Sequence, residues 1–175
     1  RLVDEYRARF KDHFNPDNAA ELFEDYSASP ENRSNYRMAV AEAAGALADE
    51  AFRQRLAEPD KTPVVFTAGG TASGKSTIAG QYLSRGAIVF DSTFSNYDVS
   101  KRRVQEAMDS GRKVQVRYVW RDPIEAWDAA RTRAIEEAGG RTVSIEAHSF
   151  SHTNAAKTVA RLAEELADNP NVKFR

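Results

Sequence analysis

The sequence predicts an α/β fold, a mostly parallel sheet sandwiched by helices and preceded by an N-terminal helical segment. Four short apolar runs, Val64 to Thr67, Ala87 to Phe90, Val114 to Val119 and Val172 to Phe174, have the length of strands. Helical patterns lie between them, roughly Lys75 to Ser84, Val99 to Ser110, Pro123 to Ala138 and Thr153 to Ala167. Crossovers of that length join parallel neighbours and cover both faces of the sheet. Ahead of these, up to about residue 57, the apolar spacing is helical throughout.

In that front segment Leu2, Tyr6 and Phe10 recur every fourth residue, Ala19, Leu22 and Phe23 follow, and an Ala-rich stretch runs from Tyr36 to Leu56. Asn15-Pro16-Asp17 and Ser29-Pro30-Glu31 have the form of helix starts, with Asn or Ser as cap and Pro at the first helical position, so about three helices are expected. The polar link Glu58 to Pro63 then divides residues 1–60, a helical segment expected to pack on the core, from a core at 61–175. The chain starts at Arg1 and stops directly after a strand, and is expected to be an excerpt truncated at its C-terminus.

The 175 residues supply one compact core. Mean hydropathy is -0.61, and no apolar run approaches 18 residues, so no membrane-spanning helix or leader is expected. The chain has no cysteine, which excludes disulfides, thiolate metal sites and thiol nucleophiles and fits a cytoplasmic location. A net charge of -1 gives no general attraction to nucleic acid or membrane, and neither is an expected partner. That charge is divided unevenly. Residues 1–63 carry nine Lys/Arg against thirteen Asp/Glu, and residues 64–175 sixteen against thirteen.

The most specific motif is GGTASGKS, the residues Gly69, Gly70, Thr71, Ala72, Ser73, Gly74, Lys75 and Ser76, between the strand VVFT and a helix opening with Thr77. It fits the P-loop pattern in its required context. Glycines let successive N–H groups converge on a polyphosphate, and the helix adds the positive end of its dipole. Lys75 can reach the terminal phosphates, and the Ser76 hydroxyl can ligate magnesium. The fold expected is therefore P-loop NTPase-like, with ATP and Mg2+ as cofactors.

Asp91 ends the run Ala87 to Phe90 and should lie at the carboxyl edge of the sheet beside the loop, where ligands bind. It can hold magnesium through water or accept a proton from an attacking hydroxyl. Asp98 reads as a helix cap, and Lys101-Arg102-Arg103 as a solvated face. In the helix after Asp122-Pro123, the residues Ile124, Trp127 and Ile135 trace one stripe, and Arg131 falls on it, placed to offset charge on a transferring phosphate. Arg133 either binds phosphate or pairs with Glu137. Arg141 follows Gly139-Gly140 and reads as part of a lid. His148 and His152 are one turn apart without the Glu of a zinc protease motif, so no zinc site is expected.

Taken together, the loop TAGGTASGKS, the strand VFDSTF, and the Arg-bearing helix that opens with RDP and ends in GGRTV resemble the zeta-toxin family of P-loop kinases, in the divergent form carried by mobile-element proteins. The likeness covers roughly residues 60–165. It implies transfer of the γ-phosphate of ATP to a hydroxyl, which in zeta toxins is the 3'-hydroxyl of the amino sugar of a UDP-sugar, and control by a small helical antitoxin. It further implies Lys75 and Ser76 at the triphosphate and magnesium, Asp91 as the acidic residue, and Arg131 and Arg141 on phosphates.

In the toxins an acidic base lies on the strand after the phosphate-loop helix, and a helical insertion then leads to a second strand with an acidic end. Here only a short helix separates Ser76 from Ala87 to Phe90, and the next strand ends in Trp120 and Arg121. Asp91 can match either family position. In the second case the base is absent or supplied by another residue, and the sugar pocket is cut away.

The leading expectation is an ATP- and magnesium-dependent phosphotransferase acting on a small-molecule alcohol. The alternatives are a nucleoside, nucleotide or polynucleotide hydroxyl kinase, and a nucleotide-binding or ATPase module with no acceptor. The acidic front is open to two readings, an integral layer or an intramolecular inhibitory segment.

Overall fold

A computed structural model describes residues 1–136 and 143–175. The front comprises α1 (Leu2–Phe10), β1 (His13–Phe14), α2 (Pro16–Ala20), α3 (Glu24–Ser27) and the long α4 (Pro30–Leu56). The rest alternates as β2 (Val64–Ala68), α5 (Lys75–Ser84), β3 (Ile88–Asp91), α6 (Tyr97–Asp109), β4 (Val114–Tyr118), α7 (Pro123–Glu136), α8 (Ile145–Glu165) and β5 (Val172–Phe174). The strands form one sheet, every pair parallel, in the order β1-β3-β2-β4-β5.

The front is therefore not all helix, as its spacing suggests. His13 and Phe14 form an edge strand in register with Val89 and Phe90. Two residues are too few to show a period, and the flanking helix signals hide them. What holds them extended is tertiary. The buried Tyr6 hydroxyl donates to His13 O at 2.9 Å and accepts from Asn15 N at 2.8 Å, while Val89 N donates to Asp12 O at 2.8 Å. Burial raises the Tyr6 phenol well above its ordinary range, so it remains a donor. The predicted caps are in place, with Asn15 accepting from Asp17 N and Ser29 from Asn32 N.

The strands β2 and β3 are buried on both faces, whereas β4 and β5 are fully buried on one face at most, and alternation along each strand allots its residues. Phe14, Phe90 and Phe66 lie side by side across three strands, with centroids 6.5 and 6.2 Å apart. Phe52 of α4 meets these rings edge-on at 5.1 to 5.8 Å, so the front segment and the sheet share one core. Val65 and Val89 face the other way, onto Ala79, Tyr82 and Leu83 of α5.

The basic run in α6 is a solvated face only at Lys101 and Arg102, which are exposed. Arg103 is buried, its Nε donating to Asp49 of α4 at 2.6 Å and its guanidinium 4.2 Å from the Phe90 centroid; Arg102 also binds Asp49. Asn96, not Asp98, caps α6. The helix α8 starts well before the predicted position. Its inward face, His148, Ser151, Ala155, Thr158 and Leu162, repeats at helical spacing but is too polar to read as an apolar stripe. No helix among the described residues is long and apolar enough to cross a membrane.

Candidate nucleotide site

The strands point their carboxyl ends to one edge, and the chemically capable groups collect there. The chain leaves β2 at Ala68 and turns through Gly69 with φ 147°; a Cβ at that position would sit 2.4 Å from Val119 O, so only glycine fits. Neighbouring elements then hold the loop. Gly69 N donates to Thr93 O at 3.1 Å, Thr71 N to Ser151 Oγ at 3.0 Å, and Arg121 to Ala72 O at 3.2 Å. No side chain caps the N-terminus of α5, which leaves its first-turn amides available to an anion. The Ser73 hydroxyl is buried without a hydrogen-bond partner among the described residues.

Lys75, at the first position of α5, folds back to donate to Gly70 O at 2.7 Å. Burial pushes its amine below the usual lysine range. The carboxylates of Asp91 and Asp17 oppose that shift, and Arg133 adds to it. Ser76 and Thr77 are exposed on the next two positions.

Asp91 is buried at the end of β3. One carboxylate oxygen accepts from Thr67 Oγ1 at 2.5 Å; the other accepts from Asn15 Nδ2 at 3.3 Å and lies 3.7 Å from His13 Nε2. Burial alone would raise its pKa, but the nearby His13 imidazole, the Thr67 hydrogen bond and the Lys75 charge outweigh it and hold the carboxyl below its ordinary value. Both oxygens are thus engaged by the protein. Because Phe14 is in register with Phe90, Asn15 lies beside Asp91, and Asp17 follows in the first turn of α2 with its N–H on Asn15 Oδ1 at 2.7 Å. The front segment brings His13, Asn15 and Asp17 to the phosphate loop. Sequence reading took Asn15-Pro16-Asp17 only for a helix start, and the two-residue strand His13–Phe14 ahead of it is too short to carry a periodic signal.

The arginine helix is turned differently from its apolar stripe. Ala126 and Ala130 face inward, while Ile124 and Ile135 are 74% and 80% exposed and Arg131 is exposed beside them. At 100° per residue Arg133 returns to the Ala126 side, and it is Arg133 that acts electrostatically on Lys75. The stripe misled because the alanines that pack inward carry little hydrophobic signal. Arg141 falls within 137–142, outside the described residues, as do Gly139 and Gly140.

Two histidines clasp the loop; sequence reading offered His148 only as a cap or a substrate contact and gave His152 no role. His152 Nε2 lies 3.0 Å from Thr71 O, and its ring covers Gly70. His148 packs 4.4 Å from that ring and reaches Pro123 O at the start of α7 at 2.8 Å. Burial lowers the His152 pKa. A Cβ on Gly70 would lie 2.1 Å from the His152 ring. Gly70→Ala is accordingly expected to cost about 1–3 kcal/mol by overpacking, and Gly70→Ala/His152→Ala to cost less than the two single changes summed. Thermal unfolding of the four proteins in this cycle measures that coupling.

No cluster of three or more His, Asp or Glu among the described residues could hold a metal by itself. The donors present, the exposed Ser76 hydroxyl and the Asp91 carboxylate, would suit a hard cation that brings most of its ligands as phosphate oxygens and water.

A P-loop motif on the second strand of an all-parallel sheet, with a lysine facing two carboxylates, defines a P-loop kinase-like protein. The zeta toxin family model matches residues 81–173, just over half of the chain. The chain belongs to the zeta toxin family. The match begins inside α5, so the phosphate loop and the whole front segment lie ahead of it. A search of curated proteins returned no significant match.

Proposed function

We propose that the chain is an ATP-dependent phosphotransferase that moves a γ-phosphate to the hydroxyl of a small molecule. The observation that carries this reading is the meeting of Lys75, Asp91 and Asp17 at the phosphate loop, because binding alone would not require the outer carboxylate. The loop amides and Lys75 would take the triphosphate, and an oxygen of that chain would satisfy the buried Ser73 hydroxyl. Magnesium, held through Ser76 and with Asp91 in its outer sphere, would supply charge neutralisation across the β- and γ-phosphates.

Asp17, rather than Asp91, is the general base in this reading. Asp91 is buried beneath Thr67 and Asn15, whereas Asp17 stands on the solvent-exposed first turn of α2 with its charge acting on Lys75. The acceptor oxygen attacks the γ-phosphorus in line and its proton passes to the Asp17 carboxylate. The bond from γ-phosphorus to the bridging oxygen breaks, and ADP leaves with that electron pair.

The arginine for the transferring phosphate is Arg133 in this reading. Arg133→Ala should lower phosphotransfer by about 10²-fold, whereas Arg131→Ala should leave it within about two-fold, as steady-state kinetics would measure. The function itself is tested with γ-labelled ATP and a metabolite pool. Label on a new compound supports a kinase; label released only as phosphate would make the chain an ATPase module.

A further inference from the structure

Trp120 is 70% exposed, although indole is among the side chains most favoured for burial. Its place in the chain gives a reason. Val119 donates its N–H to Ala68 O at 2.7 Å and presses its carbonyl against Gly69. Arg121, on the other side, donates to Ala72 O at 3.2 Å. Trp120 is thus fixed between two residues bonded to the start and the middle of the phosphate loop, yet its own ring is left to solvent. Ile124, also exposed, follows one helical turn later at the start of α7.

We propose that Trp120 is the stacking platform for the nucleobase of the nucleotide whose phosphates the loop holds, with the Arg121 guanidinium beside it as a cation–π partner for the base. This rests on the reading of the loop given above and extends it to the other end of the same ligand. A base offers a π-face that an indole can cover without any hydrogen-bond code. The site should therefore tell nucleoside triphosphates from bare tripolyphosphate strongly and one purine from another weakly. The exposed Phe150 is the competing aromatic. It lines a cavity of about 340 Å³ with Lys157 and Arg161, a charged setting better suited to a second, anionic molecule than to a neutral base.

The chain has two tryptophans, so Trp127→Phe leaves Trp120 as the sole indole reporter. Titrated with Mg-ATP, its fluorescence should be quenched saturably; Mg-tripolyphosphate should bind by calorimetry and leave the fluorescence unchanged. Trp120→Ala should weaken ATP about 5- to 100-fold while tripolyphosphate affinity stays within about two-fold, and Trp120→Phe should restore most of the loss. Equal loss of both ligands in Trp120→Ala, loss of neither, or loss of ATP selectivity in Phe150→Ala instead would overturn the assignment. Failure of tripolyphosphate to bind the unaltered chain would overturn the loop reading itself, and this inference with it.

Discussion

Lys75→Ala is expected to weaken binding of both ATP and tripolyphosphate by about 10- to 100-fold, the loss of a charged hydrogen bond to phosphate. It should lower phosphotransfer by a further factor of about 10²–10³, because charge develops on the transferring oxygens. The fold should survive the change. The only protein acceptor of the amine among the described hydrogen bonds is Gly70 O, and burial already disfavours its charge. An isothermal titration paired with a melting curve separates lost binding from lost structure. Unchanged affinity in a folded variant would remove the physical basis of the site.

The same amine sets the alkaline limit. Burial holds Lys75 below its ordinary value of 10.5 in the free protein, and polyphosphate binding favours the charged form. Affinity should therefore fall as pH rises through the depressed value, because the unliganded amine has lost its proton there. Asp91 works in the opposite direction. Its folded pKa is depressed, so its contribution to stability is complete above the ordinary carboxylate value and disappears as pH falls through the lowered one.

The phosphate loop was legible because its chemistry and backbone demands coincide. Glycines, lysine and serine at fixed spacing between a strand and a helix have few other uses. Four of the strands were legible from hydrophobic pattern: β2 and β3 are buried along their whole length and read as short apolar runs, while β4 and β5 alternate Val114, Val116 and Val172, Phe174 with Gln115, Arg117 and Lys173. What escaped depended on contacts between distant parts of the chain. His13 and Phe14 are a strand because Tyr6 and β3 hold them so, not through any periodicity of their own. The turn of α7 escaped because Ala126 and Ala130 are the residues that pack inward, and alanine gives a weak signal of direction, so the sequence could not choose between a phosphate role for Arg133 and a pair with Glu137. His152 matters because Gly70 leaves room for its ring, a relation between residues 82 positions apart that neither reveals alone.

Asp17→Asn is expected to separate chemistry from binding. Asparagine keeps the size of the side chain but cannot take the acceptor's proton, so turnover should fall by about 10²–10⁴-fold. ATP affinity should change far less, because Asp17 acts on Lys75 only through its charge and donates nothing to the phosphates. Asp91→Asn provides the contrast. That residue is buried among Thr67, Asn15 and His13, and the change removes its charge and turns one of its two acceptor oxygens into a donor facing another donor, so melting temperature and affinity should both drop. A variant that is slow only because it binds ATP poorly would recover at saturating nucleotide; Asp17→Asn should not. Equal defects in the two variants, both relieved by high ATP, would place Asp17 with the binding residues and leave the acceptor's proton without a protein base.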